Sequence, residues 1–370
     1  MNSRKQHSDF WLSLAVFGLL VFGLIMIYSV SKYYSLEVTD GRTDKLFLIR
    51  QFFSVIIGLV VWIVFQAIDY RFWRRFTAWM LYGTVFLLML PLILAPFGIG
   101  YGGRWVDLGI TTFQPAELAK LTFILYLAGW FAGKGEDSKK IQKLFLPFSL
   151  IVGFIALLML IQKDLGTLAV FVMVAAGIFV VAGAALYQLV MGGAFGAFLL
   201  WLAVKLEPYR MERLLTFLNP ENNALGSGYH IKNALIAIGS GGLWGLGFGQ
   251  SKQKYLYLPE AHTDSIFAII SEELGLVRAV LILIIFVFIT MRGIKIARSA
   301  PDMFSRLAAI GITTWFFSQM FINIAAMVSL IPLTGIPLPL ISSGGSSLIF
   351  LLAGIGILNN ISKYRTTDGK

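Results

Sequence analysis

The 370-residue chain contains no cysteine, only three histidines (His7, His230, His262), and few charged residues, which make up 13% of it. Without cysteine there can be no disulfide framework and no thiolate metal site. Three scattered histidines make a His-rich metal centre improbable. The scarcity of charge goes with 58% hydrophobic residues and apolar runs of about twenty residues that recur along the chain, a pattern of membrane-spanning helices and not of soluble domains. The runs are continuous and do not alternate, which excludes a β-barrel. Long polar stretches are also missing. The one exception runs from about Leu206 to Thr263, so the expectation is a single transmembrane domain over 1–370 with 206–263 as a large loop.

The fold class expected is therefore an all-α polytopic membrane protein of about ten transmembrane helices. The apolar runs fall at 10–30, 47–68, 76–95, 115–132, 144–162, 167–184, 186–206, 264–291, 306–330 and 346–361. No small-residue cleavage site follows the first run, so it reads as a retained anchor. With the amino end inside, cytoplasmic segments carry 16 Lys and Arg against 6 in the short outer loops. This bias places both termini in the cytoplasm and the long loop, between helices 7 and 8, outside. The formal charge of +11 then reports loops facing anionic lipid, and no nucleic-acid partner is expected. No internal repeat is evident, which weakens an inverted-repeat transporter reading.

Ionisable residues at the mouth of a membrane helix are functional candidates by default. The stretch Lys254 to Gly275, KYLYLPEAHTDSIFAIISEELG, holds Glu260, His262, Asp264, Glu272 and Glu273. Thr263 is the expected helix N-cap, with Asp264 in the first turn. There the helix dipole favours the carboxylate and burial opposes it, the balance a general base needs. A continuous helix would align Ala268, Ser271 and Gly275 with Asp264, and would put Glu272 about 12 Å away, too far for a carboxylate dyad. Capping and salt bridging are equally good readings of Glu260 and Glu273.

Four more constellations fall on the same outer side. Arg104-Trp-Val-Asp-Leu-Gly follows Gly100, Gly102 and Gly103; an Arg beside Trp is either an interface anchor or a phosphate ligand. Gln114-Pro-Ala-Glu-Leu-Ala-Lys pairs Glu117 with Lys120 at i,i+3, as a structural ion pair or a functional one, and Lys120 is the lysine expected nearest a pyrophosphate. Lys163-Asp-Leu-Gly-Thr reads as a capped turn at Asp164. Ile341-Ser-Ser-Gly-Gly-Ser-Ser offers close backbone approach at Gly344 and hydroxyls such as Ser343. The long loop adds Arg210 and His262 as ligand-binding candidates. Its glycine run 239–249 lacks the Lys-Ser/Thr of a Walker loop, and reads instead as part of an amphipathic cover lying on the membrane.

Together RWVDLG, FQPAELAK, KDLGT, PYRMERLLTFLNP, GSGYH, GLWGLGFGQS, LPEAHTD, EELG and PLISSGGSS resemble the SEDS (shape, elongation, division and sporulation) family of bacterial cell-wall proteins. The wording QKYLYLPEAHTD is nearer to the division branch than to the elongation branch. The resemblance implies a multi-pass protein of the bacterial cytoplasmic membrane: a peptidoglycan glycosyltransferase that polymerises lipid II, the undecaprenyl-pyrophosphate disaccharide-pentapeptide. It also implies an essential aspartate at Asp264, Mg²⁺ or Mn²⁺ held in part by Asp264, a class B penicillin-binding protein as transpeptidase partner, and other divisome or elongasome proteins. Ser265 and Ser343 depart from aromatic residues common in the family. Two other readings stay open, a lipid II flippase and a non-catalytic division scaffold.

Overall fold

The computed structural model describes residues 7–107, 112–135, 142–219 and 226–364. Its helices are α1 (Phe10–Val38), α2 (Leu46–Ala67), α3 (Tyr70–Arg75), α4 (Thr77–Leu94), α5 (Pro115–Ala132), α6 (Phe145–Ile161) and α7 (Leu165–Val181). They continue as α8 (Leu186–Leu206), α9 (Pro208–Leu218), α10 (Ser227–Ser240), α11 (Ile266–Arg298), α12 (Met303–Met327) and α13 (Gly345–Ser362). Each expected span coincides with a helix. Seven of them are long and apolar enough to cross a membrane: α1, α2, α4, α8, α11, α12 and α13. Helices α6 and α7 are apolar but shorter, and α5 carries Glu117 and Lys120.

The termini of these helices follow their sequence. Asp9 caps α1 by accepting from the Leu12 N–H, and Asp164 caps α7 by accepting from Thr167, which satisfies amide donors the helix itself leaves free. Pro115 opens α5, where its missing N–H costs nothing. In the middle, α12 and α13 are largely enclosed, with Trp315 fully buried. Helix α13 packs on α2, while α12 packs on α5, α7 and α11. Gly311 and Gly354 allow these close approaches, since an added Cβ would press on Ile124 and Ile312 respectively. By contrast α8 is almost wholly exposed and touches mainly α9.

At the end assigned to the cytoplasm, polar side chains fasten the bundle. Arg292 pairs with Asp9 at 2.5 Å, the Tyr70 hydroxyl donates to Asp302 at 2.6 Å, and Asn360 accepts the Tyr70 N–H at 2.9 Å. Of the cations assigned to this end, Arg4, Lys5, Arg365 and Lys370, with Lys139 and Lys140, lie outside the described residues.

Three features differ from the sequence expectation. Helix α1 continues to Val38 and does not stop near Val30, because its outer turns gain contacts from the long loop: Tyr33 meets Tyr255, and Tyr34 meets His262. The glycine-rich segment after α4 forms a small antiparallel sheet, β1 (Gly100–Tyr101), β2 (Trp105–Asp107) and β3 (Thr112–Phe113). Gly102 and Gly103, both at positive φ, make its first turn. Finally, α11 is not continuous. Gly275 has φ 78° and ψ 172°, and the helix breaks there.

The break is filled by the glycine run of the loop. Leu246 and Gly247 donate backbone N–H groups to the Glu272 and Glu273 carbonyls, while Leu276 and Val277 donate to Gly242 and Leu243. Two irregular segments thus complete each other, the only way unpaired backbone is tolerated at membrane depth. The approach is so close that a Cβ on Gly241, Gly245 or Gly275 would collide with opposing backbone.

Candidate functional site

A cleft of about 130 Å³ opens at the outer end of the bundle. Its walls come from six separate stretches, five of them being Arg104 and Trp105 at the start of β2, Gln114 and Glu117 at the start of α5, Asp164 and Thr167 at the start of α7, Thr263 and Asp264 before α11, and 335–347 before and into α13. Gln319 of α12 contributes too. Arg104, Glu117, Asp264, Ser343 and Gly344, all sequence candidates, are therefore brought together, with Asp164 as well.

Asp264 does not occupy the first turn of the helix. Helix α11 starts at Ile266, with Ser265 at the cap position, so Asp264 stands just outside it. The N-cap assignment to Thr263 is corrected accordingly: its hydroxyl donates to the Glu260 carboxylate at 2.8 Å and to the Glu260 carbonyl at 3.0 Å. Glu260 has φ 50°, and this turn replaces the expected helical start. Burial, and after it the charge of Glu260, push the Asp264 carboxyl up to about 7. Raised in this way, the carboxylate is a stronger base than an ordinary aspartate and closer to the operating pH that favours general-base catalysis.

The sequence reading assigned no site role to two neighbours of this aspartate. Asn323 on α12 donates one amide to the Asp264 carbonyl at 2.7 Å and to the Ile336 carbonyl at 2.8 Å, so it ties the aspartate's backbone to the facing wall. Ser265 places its hydroxyl 3.4 Å from Asp264 Oδ1 and 2.6 Å from His230 Nε2 on α10. An intramembrane Gln and Asn one turn apart, Gln319 and Asn323, were the available signal for this wall.

Other candidates lie elsewhere. Lys120 is buried behind the wall, bonded to Glu117 Oε1 at 2.8 Å, with its ammonium 5.3 Å above the Trp315 ring. It does not line the cleft, and its ammonium is engaged by Glu117 behind the wall. Both residues of the i,i+3 pair are buried to the same degree, 2% exposed, but only Glu117 is turned toward the cleft. Arg210 donates to the Ala203 carbonyl at 3.0 Å and the Leu160 carbonyl at 2.8 Å. It fastens α8 and α9 to α6, away from the cleft. The His262 ring packs against Tyr34 and Phe47 at 4.8 and 4.3 Å, and burial lowers its pKa. Only its carbonyl supports the site, by accepting the Ser343 N–H at 2.9 Å. Arg104 lines the cleft but spends Nε on the Gln162 carbonyl at 3.1 Å and Nη2 on the Lys163 carbonyl.

Glu272 and Glu273 also lie apart. Glu272 accepts from the Ser251 hydroxyl at 2.5 Å and the Lys252 N–H at 2.9 Å. Glu273 accepts from Lys254 Nζ at 2.9 Å and from the Ser29 hydroxyl at 3.0 Å. This buried clasp joins the loop to α1 and α11.

Among the described residues, no three His, Asp or Glu side chains stand close enough to cage a metal ion. The cleft's oxygen donors nevertheless suit a hard cation that shares its coordination with a phosphate: Asp264, and the Oε2 of Glu117, which is buried without a partner.

Comparison with known proteins gives one result throughout. Residues 10–367 match the cell cycle protein family FtsW/RodA/SpoVE. The chain is 39% identical to the stage V sporulation protein E of Bacillus subtilis, over 98% of this chain and 99% of that one. It is 38% identical to a probable peptidoglycan glycosyltransferase FtsW of Escherichia coli, over 99% and 90%. A chain from a peptidoglycan synthase complex, solved to show how polymerisation and crosslinking are coordinated, superposes with a TM-score of 0.80 at 27% identity, over 98% and 99%. The rod shape determining protein RodA of Thermus thermophilus superposes with a TM-score of 0.67 at 26% identity, over 98% of each chain. Sporulation and division relatives are almost equally similar, so the branch suggested by QKYLYLPEAHTD is not singled out. The chain belongs to the FtsW/RodA/SpoVE family of bacterial cell-wall proteins and, like them, is a multi-pass protein of the bacterial cytoplasmic membrane.

Proposed function

We propose that the protein is a peptidoglycan glycosyltransferase that polymerises lipid II at the outer cleft, with Asp264 as general base. The observation that carries this reading is a half-buried carboxylate with no ion pair among the described residues, its affinity raised by burial, at the meeting point of six chain segments. Asp264 takes the proton from the acceptor sugar hydroxyl. The freed oxygen attacks the anomeric carbon of the donor, and undecaprenyl pyrophosphate leaves with inversion. Arg104 at the cleft wall and the Ser343-Gly344 backbone are placed to meet the phosphates or sugars. Mg²⁺ or Mn²⁺, held by Asp264 together with the substrate's own phosphates, would supply the positive charge that the leaving group requires.

An open apolar groove of about 620 Å³ runs between α4 and α6, lined by residues such as Leu81, Phe86, Leu150 and Phe154. Its chemistry suits a prenyl chain in the bilayer. A class B penicillin-binding protein would add the crosslinking step, as the synthase-complex relative suggests. The flippase reading accounts less well for the site, since transport needs no base. The scaffold reading accounts for neither the cleft nor its carboxylate.

The decisive assay supplies purified protein, with and without a class B penicillin-binding protein, with labelled lipid II and Mg²⁺ or Mn²⁺. Glycan chains from wild type and none from Asp264→Ala are expected. Lipid II binding without polymer under every condition would replace this reading with the flippase or scaffold.

A further inference from the structure

We infer that His230 and Ser265 are positioning residues for the Asp264 carboxylate, forming a hydrogen-bonded row His230–Ser265–Asp264 that orients the base. The inference rests on the glycosyltransferase reading above.

Asp264 lies outside α11 and so lacks the fixed side-chain direction that helical backbone imposes. Asn323 holds its carbonyl, not its carboxylate. The carboxylate's orientation is left to short-range neighbours, among which Ser265 offers a hydroxyl to Oδ1 at 3.4 Å. That hydroxyl has a single proton and a second acceptor, the Pro259 carbonyl at 3.0 Å. Whether either of them receives it depends on how the serine oxygen is met from its other side.

His230 decides this. Its Nε2 lies 2.6 Å from Ser265 Oγ, the shortest contact of the row. With the proton on Nε2, the imidazole donates to Oγ, and the serine proton is free for Asp264 or Pro259. With the proton on Nδ1, Nε2 accepts the serine proton and Asp264 loses its donor. The first tautomer therefore supports an ionised Asp264 and the second withdraws that support. Burial lowers the His230 pKa, against the raising influence of Glu260 and together with the lowering influence of Arg213, so the neutral ring that can occupy both tautomers is favoured. Ser265 is fully buried, which shields the row from competing water. Helix α10 packs directly on α11, so the row also couples the long loop to the base.

The test is a kinetic cycle on the full-length protein with lipid II as substrate. The variants are Ser265→Ala, His230→Leu, the double variant and His230→Gln, with Asp264→Asn as control. Ser265→Ala and His230→Leu should each lower kcat roughly three- to tenfold, the weight of about one hydrogen bond, with KM within about twofold. The double variant should be no slower than the slower single one, because both remove the same row. His230→Gln, which keeps an amide that can donate to Oγ, should recover most of the rate. Multiplicative losses in the double variant, an effect carried by KM, or a glutamine variant as slow as leucine would overturn the proposal. Thermal stability is measured for each, and a loss of rate that tracks the melting temperature would overturn it also. If Asp264→Asn polymerises as well as wild type, the general-base reading itself fails and the row falls with it. If that control is inactive while the cycle is flat, only the row fails.

Discussion

Asp264 and the pair Glu272–Glu273 lie within ten residues of one another, in the same stretch of chain, and both are withdrawn from water, yet they do opposite things. The two glutamates have every need met: a lysine, two serine hydroxyls and backbone N–H groups converge on them. Asp264 has its own backbone N–H and the hydroxyls of Thr263 and Ser265, the latter at 3.4 Å, a negative neighbour in Glu260 and, among the described residues, no ion pair. A buried acid surrounded by donors is a structural joint. One denied them becomes a base with raised affinity.

The comparison can be broken at its strongest point first. Asp264→Asn should lower turnover by about 10² to 10⁴ while leaving the melting temperature unchanged, since it removes a base and no bond that holds the fold. Glu273→Ala should do the reverse. It strands the Lys254 ammonium in the clasp, at an expected cost of about 3–5 kcal/mol, seen as poor yield and early thermal unfolding in detergent. Replacing both partners together, Lys254→Met with Glu273→Leu, should recover much of that loss, because no buried charge is left over. Gly245→Ala should also destabilise, by about 1–3 kcal/mol or more, because its φ of 83° is strained for alanine and the new methyl meets the Glu273 carbonyl.

The smallest and sharpest test is pH dependence. Asp264 acts as base only when ionised, so activity should rise as pH passes upward through about 7. Glu260 helps hold that carboxyl high, and its charge opposes ionisation. Glu260→Gln should therefore move the rising limb of kcat/KM to lower pH, whereas Glu272→Gln, on the far side of the clasp, should leave the limb where it is. A limb that stays fixed in Glu260→Gln would separate Asp264 from the titration.

Much of this was legible in the sequence because its signals are local. Apolar runs gave the helices, and charged or glycine-rich interruptions gave the loops that converge on the cleft. Arg104, Glu117, Asp264, Ser343 and Gly344 were found this way. Lys120, Arg210 and His262 were misplaced for one reason. A polar residue near a functional motif has a direction that depends on distant partners, here Trp315, the Leu160 carbonyl and Phe47. The break at Gly275 was hidden likewise. Residues 264–291 read as one apolar run, and only the backbone pairing with 242–247 shows why a helix would stop inside it. His230 closes the GSGYH motif, Ser265 follows LPEAHTD and Asn323 lies in no motif, but their link to Asp264 is visible only once α10 and α12 are laid against it.

The interruption at Gly275 also bears on how the chain enters the bilayer. The outer half, Ile266–Leu274, is only about 13 Å long at roughly 1.5 Å per residue, far short of a hydrocarbon layer about 30 Å thick. It ends in two carboxylates that lipid would reject. It cannot be a stable insertion unit by itself. Its partner lysine precedes Glu273 by 19 residues, so the cation is synthesised before the acids and is waiting on the outer side when they emerge. The half-helix can then seat from outside, against protein already in place. The half-helix that follows the base thus depends on protein, and not on lipid, for its place in the outer face.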